Sequence, residues 1–254
     1  IQGSLAAERY RGSLAVTCLN EMKYDTWVLG NHELDFGLKQ LNRLVEQTEI
    51  PILAGNFRLT NPYDKFFPSW RMYQKSGKDI AVIGLQNTFL DHWFYGSDWQ
   101  QYELASSIET LEKIMPEIHR AKPDLIVLAA HQGFRYRDKR GVNDLKGIAY
   151  RFPEIDLLLG GHTHWELPAK RINQSFCVQP GQHGSYLSWI KVEFREREKP
   201  LLKMQLVPVK GEYDHELYEK LRPQLERIKD YEEEAVCTLA KEISSRGEPG
   251  YRNQ

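Results

Sequence analysis

The stretch VLGNHELDFG, Val28–Gly37, decides how this chain is read. An apolar run stops at Gly30, and Asn31, His32, Glu33 and Asp35 follow at once. Glycine at such a point lets the backbone turn sharply and keeps bulk away from whatever comes next. The same device returns downstream in DLLLGGHTH (Asp156–His164), and a further apolar run, DLIVLAAHQG (Asp124–Gly133), ends directly in His131. In an open α/β sheet, functional side chains gather just past the carboxyl ends of strands. The first apolar run thus delivers Asn31, His32 and Asp35, another delivers His131, and a third delivers His162 and His164.

The surroundings support that placement. TWVLG (26–30), PILAGN (51–56), DIAVIGLQN (79–87), DLIVLAAH (124–131) and DLLLGGH (156–162) are short runs that are apolar on both faces. Such runs suit a sheet covered on both sides. Between them lie helical stripes: Leu14, Cys18, Leu19 and Met22; Leu38, Leu41, Leu44 and Val45; Ile108, Leu111, Ile114, Met115 and Ile118. The alternation predicts an α/β fold. After Gln174 the pattern changes to SFCVQPG, SYLSWIKVEF and PLLKMQLVPV, read as successive antiparallel strands at the end of a mixed sheet, with Ile190, Val192 and Phe194 on one face.

Composition sets limits. The 254 residues suffice for one large domain, and the net charge of −1 gives no reason to expect a nucleic-acid polymer or an anionic membrane as partner. No apolar run approaches the ~20 residues that cross a bilayer. The 3 cysteines, Cys18, Cys177 and Cys237, have neither metal-type spacing nor the even count of a disulfide framework.

Imidazole nitrogen with amide oxygen, and no thiolate, suits Zn²⁺, Mn²⁺, Fe or Ni²⁺ and argues against a structural zinc site. Asn31 supplies a neutral oxygen, and His162 and His164, two residues apart, can face different ions. Two ions ~3.5–4 Å apart can clamp a phosphoryl group and activate water. His32 and Asp35 stand one helical turn apart if the loop winds there. A carboxylate on a histidine fixes its tautomer and favours its charged form. A protonated His32 would stabilise the transferring group or protonate the leaving oxygen.

GNHELDFG, AAHQG and GGHTH, in this order and separation, resemble the motifs of the calcineurin-like metallophosphoesterases, and within them the 5′-nucleotidase/UDP-sugar hydrolase branch. The resemblance runs from Ile1 to about Val209 and includes CVQPGQHGSYLSWIKVEF, similar to the strands that close the branch's catalytic domain. It implies a four-layer α/β/β/α sandwich with mixed sheets and a dinuclear centre of two divalent ions. It also implies Asn31, His131 and His162 as ligands of one ion, His164 as a ligand of the other, and His32 with Asp35 as the catalytic dyad. The implied activity is hydrolysis of a small phosphate ester, a nucleotide foremost. Export to the periplasm or the cell exterior is implied by the same likeness.

The family's Asp-x-His and Gly-Asp motifs, which supply two ligands and the bridging carboxylate, do not occur here. IQGS resembles the residues that follow the Gly-Asp motif, so an N-terminal part of the domain is expected to lie upstream. Without the bridge, one ion keeps Asn31, His131 and His162 while the other keeps His164 alone. The expected organisation is a catalytic domain over 1–209 and a helical connector over 210–254, leading to a further domain or packed as a charged surface helix, with a kink or restart at Pro223. Alternatives on the same scaffold are a cyclic-nucleotide phosphodiesterase, a nucleotide-sugar diphosphatase or a sulfur-ester hydrolase; outside catalysis, a metal-free binding protein. HWFYGSDWQ (His92–Gln100) reads as a packed aromatic loop or a base pocket; Asn56 and Asn87 follow strands toward the site but read as lying short of contact with it, and His183 reads as a turn residue rather than one that borders the site.

Overall fold

The structure, a computed structural model, describes residues 3–90, 101–137, 142–196, 199–211 and 213–233. The aromatic stretch His92–Gln100 lies outside them. The chain divides into two compact units, Ile1–Tyr213 and Asp214–Gln254.

In the first unit the elements run α1 (Leu5–Tyr10), α2 (Ser13–Glu21), β1 (Trp27–Val28), a 3₁₀ turn (Asn31–Leu34), α3 (Leu38–Gln47), β2 (Ile52–Leu53) and β3 (Phe57–Leu59). They continue with β4 (Lys65–Phe66), β5 (Trp70–Lys75), β6 (Lys78–Leu85), β7 (Tyr102–Leu104), α4 (Ser107–Ala121), β8 (Leu125–Ala130), α5 (Leu145–Arg151) and β9 (Leu157–Leu159). Last come β10 (Glu166–Ile172), β11 (Ser175–Pro180), β12 (Tyr186–Glu193) and β13 (Leu201–Pro208).

A six-stranded sheet, ordered β10-β11-β9-β8-β6-β5, forms the centre. β6, β8, β9 and β11 run parallel and the outer strands β5 and β10 antiparallel. Successive side chains of a strand point to opposite faces, so a run that is apolar throughout must be covered twice. Ala81, Ile83, Leu85, Ile126, Leu128, Ala130, Leu158 and Cys177 face Leu111, Met115 and Ile118 of α4 and Leu145, Ile148 and Ala149 of α5. The alternate positions Ile80, Val82, Leu125, Val127, Leu157 and Leu159 face Ile190, Val192, Leu202 and Met204 of the β12–β13 pair. A third core joins Trp27 and Ile52 of the parallel β1–β2 pair to Val16 of α2 and to Leu38, Leu41 and Leu44 of α3. The layer order is helix, sheet, sheet, helix, as the resemblance implies.

Gly84 of β6 sets how close the inner layers come. A Cβ built there would stand 2.3 Å from Leu53 Cβ. The Gly55 N–H donates to the Gly84 carbonyl at 2.9 Å across the same gap. Through this contact the small β1–β2 sheet is seated beside the large one, which later matters for Asn31.

Helix ends follow local chemistry. The Ser106 hydroxyl caps α4 by accepting the Glu109 N–H at 3.2 Å. In the second unit α6 (His215–Glu232) begins where Asp214 accepts the Leu217 N–H at 2.9 Å. Pro223 sits inside α6 without ending it. Its fixed φ is compatible with a helix, and one lost bond is tolerated within 18 residues. Other expectations also change. Met22 is half exposed, because α2 stops at Glu21. SFCVQPG does not join the two later strands: β11 enters the central sheet between β9 and β10, and β12 and β13 form a sheet of their own.

Asp156 leads into β9. Burial, outweighing the Ile126 N–H at 3.0 Å and Lys199, pushes its carboxyl above the usual range. A raised folded-state value contributes stability that is complete below the ordinary value of 3.8 and is lost as pH rises through the folded value. Asp156→Asn keeps an acceptor for Ile126 without the buried charge. Its unfolding free energy is expected to match wild type at neutral pH to within about 1 kcal/mol, while the wild type gains stability relative to the variant on acidification toward pH 4. Parallel melting curves for the two proteins would contradict this. Among the described residues no helix is long and apolar enough to cross a membrane.

Candidate metal and phosphoester site

β8 and β9 are paired neighbours, with Ala129 opposite Leu159. Both end at the same rim, so the residues that follow, His131 and His162, emerge side by side. Their rings meet edge to face with centroids 5.3 Å apart. β1 belongs to the other sheet, yet it stops at the same rim and hands over Asn31 in the first turn of the 3₁₀ segment. His162 Nδ1 lies 3.2 Å from Asn31 Oδ1. The turn is held by Glu33, whose buried carboxylate accepts the Gly30 N–H.

The backbone here is unusual. His162 and His164 both adopt left-handed conformations, with φ of 62° and 59°. Non-glycine residues pay about 1 kcal/mol or more for such a conformation. The strain has a use: it folds the His162 ring back onto Asn31 and sends His164 elsewhere. His164 stands near His183, also left-handed, with ring centroids 6.4 Å apart. His32 Nδ1 is 2.9 Å from Asp35 Oδ2, within the turn where the sequence puts them.

His131 is the most informative of the group. Burial, reinforced by His162, His32 and His164, lowers it to about 3. It is therefore neutral at physiological pH and carries a lone pair. Its Nε2 is buried and has no hydrogen-bond partner. A buried polar atom left in this state costs about 1–3 kcal/mol. Gly30 makes room for the ring; a Cβ there would lie 2.7 Å from His131 Nδ1.

These residues fit a divalent ion. Two donors on one ion at ~2.0–2.2 Å stand roughly 3–3.4 Å apart, the separation found between Asn31 Oδ1 and His162 Nδ1. An ion would also satisfy the orphaned His131 nitrogen. The set is two imidazoles and one amide, without a carboxylate. Among the described residues no group of three or more His, Cys, Asp or Glu forms a ready cage.

The sequence motifs match the calcineurin-like phosphoesterase profile over residues 8–166, well over half of the chain. The chain belongs to the calcineurin-like phosphoesterase family. It is 27% identical over 214 residues to a 5′-nucleotidase of Vibrio vulnificus, covering 75% of this chain and 39% of that protein. It is also 27% identical over 183 residues to a 2′,3′-cyclic-nucleotide 2′-phosphodiesterase/3′-nucleotidase of Haemophilus influenzae, covering 67% of this chain and 28% of that one. The chain thus spans about two fifths or less of the length of these relatives. In fold, this phosphoesterase chain is similar to the calcineurin-like phosphoesterase YfkN of Bacillus subtilis, with a TM-score of 0.75, 20% identity and coverage of 91% and 82% of the respective chains.

A layer of residues behind the motifs has no counterpart in the motif reading. Asn56, Gln86, Asn87, Gln132 and Gln179 are all buried amides. Gln86, Gln132 and Gln179 carry no sequence signal beyond a polar residue within or at the end of an apolar run. Asn87, which the sequence places just after a strand and short of contact with the site, donates to the His131 carbonyl at 3.2 Å.

Proposed function

We propose that the natural protein hydrolyses a phosphoric ester of a nucleotide at this site, with a nucleoside monophosphate as the first substrate to test. The convergence of Asn31, His131 and His162 beside the His32–Asp35 pair carries the proposal. The nucleotidase relatives from Vibrio vulnificus and Haemophilus influenzae support the substrate class.

On this reading Asn31, His131 and His162 hold one divalent ion and His164 serves a second. Bound ions would polarise the phosphoryl oxygens and lower the pKa of water at the site. The chain's own groups do the rest. Neutral imidazoles and an amide hold a cation without cancelling its charge. Asp35 holds His32 through Nδ1, so His32 would act through Nε2. There it offsets charge on the phosphoryl group or gives a proton to the leaving alcohol, as water oxygen bonds to phosphorus and the ester P–O bond breaks. The left-handed turn at His162 keeps its ring over the same corner through the reaction.

His32→Ala is expected to lower kcat by roughly 10²–10³-fold with metal content unchanged. The check is steady-state hydrolysis by the natural protein of nucleoside monophosphates, 2′,3′-cyclic nucleotides and nucleotide sugars, beside metal analysis of both proteins. An unaltered kcat would remove His32 from the chemistry. Failure of the metal-loaded wild type to cleave any of these esters would overturn the reading.

A further inference from the structure

Three buried amide side chains reach three backbone carbonyls, each at or directly before a candidate ligand. Gln86 Nε2 donates to the Gly30 carbonyl, ahead of Asn31, at 2.8 Å. Asn87 Nδ2 donates to the carbonyl of His131 itself at 3.2 Å. Gln179 Nε2 donates to the Gly161 carbonyl, ahead of His162, at 2.9 Å, and to Thr163 Oγ1 at 2.9 Å.

The oxygen ends are used as fully as the nitrogen ends. Gln86 Oε1 accepts the Asn87 N–H at 2.7 Å. Asn87 Oδ1 accepts the Phe89 N–H at 2.7 Å. Gln179 Oε1 accepts the Phe134 N–H at 2.7 Å, just past His131. Asn56 completes the frame, accepting the Gln86 N–H at 2.7 Å and donating to the Gln86 carbonyl at 3.0 Å. All four amides are at most 3% exposed. Such a network is rigid because every alternative leaves a donor or acceptor buried without a partner.

We infer that Gln86, Asn87 and Gln179 are positioning residues, which hold the loops bearing Asn31, His131 and His162 at the spacing a cation needs without touching it. This rests on the metal site proposed above. The residue type is informative. A carboxylate or a cation in these places would alter the field at the site; an amide ties two loops together and adds no charge. The loops of His131 and His162 leave paired strands, but that of Asn31 leaves a different sheet, so no strand ladder sets its distance from the other two. The amides supply that constraint.

The test uses the natural protein, stripped of metal and titrated with Mn²⁺ and with Co²⁺, whose visible absorption reports ligand geometry. Gln179→Met removes both ends of the bridge at similar volume, and Asn87→Ser is a second variant should the first fail to fold. Each is compared with Ile118→Val, a core change in α4 remote from the site, so that a loss of stability alone is accounted for. Weakening of metal binding by about 10–100-fold is expected in the amide variants, with an altered Co²⁺ spectrum and with KM less affected than kcat. Ile118→Val should bind metal as wild type does. His131→Ala separates the two ideas. If it loses metal while both amide variants keep wild-type affinity and spectrum, the positioning role is wrong and the site stands. If His131→Ala binds as wild type does, the site itself is misassigned and the inference falls with it.

Discussion

His131→Ala is expected to give a folded protein that no longer retains metal and whose turnover falls by roughly 10⁴-fold or more, the several kcal/mol that a metal contributes to charge stabilisation at phosphorus. The argument rests on the state of the ring. His131 is partly buried and neutral down to about pH 3, and its Nε2, itself buried, faces no hydrogen-bond partner. A purely structural histidine in such a place would be an unpaired polar group, and its replacement by alanine would relieve that cost against the small cavity it leaves. The two readings therefore differ in how the proteins respond to metal. If Nε2 is kept for a cation, metal-free His131→Ala melts near metal-free wild type, and only the wild type gains stability when Zn²⁺ or Mn²⁺ is added, as expected of a ligand bound to the native state alone. Equal stabilisation of both proteins by metal would remove His131 from the ligand set.

Gly30→Val is expected to damage activity more than stability. The backbone does not require glycine, since φ of −117° and ψ of 177° are extended and open to any residue. Space requires it. A Cβ at position 30 would fall 2.7–2.8 Å from three atoms of the His131 imidazole, a partly buried, rigid ring with no flexible end to swing aside. Overpacking of this kind costs about 1–3 kcal/mol, or a melting temperature lower by roughly 2–12 °C. Displacing the ring by about 1 Å costs roughly 10²-fold in rate on top of that. Metal titration, circular-dichroism melting and kcat on one preparation check the split. A variant with wild-type kcat would show that the ring tolerates displacement and that the tight seat of His131 is incidental.

The motif glycines and the polar residues after them were legible because each marks a strand end, and a strand end in an α/β sheet has a known place. The two-sided apolar runs at 79–87, 124–131 and 156–162 became β6, β8 and β9, as period-two packing demands. The stripes Leu38–Leu44 and Leu111–Ile118 became the buried faces of α3 and α4. Less was visible where local pattern is weak. β3, β4 and β7 are two or three residues long and form only against one another. In α5 a glycine, Gly147, interrupts the helical signal.

The sequence alone determined which residue types stand at which strand ends, and with them the α/β class, the family and the candidate ligands, because those depend on local periodicity and on short motifs. Tertiary structure decided the rest. Asn31 leaves one sheet and His162 another, and their 3.2 Å approach is a product of how the two sheets meet, with Gly84 close against Leu53. The buried amides became a frame for the same reason: a glutamine's hydrogen-bond partners are chosen by what packs around it, and nothing in the order of residues names them before the sheets are stacked.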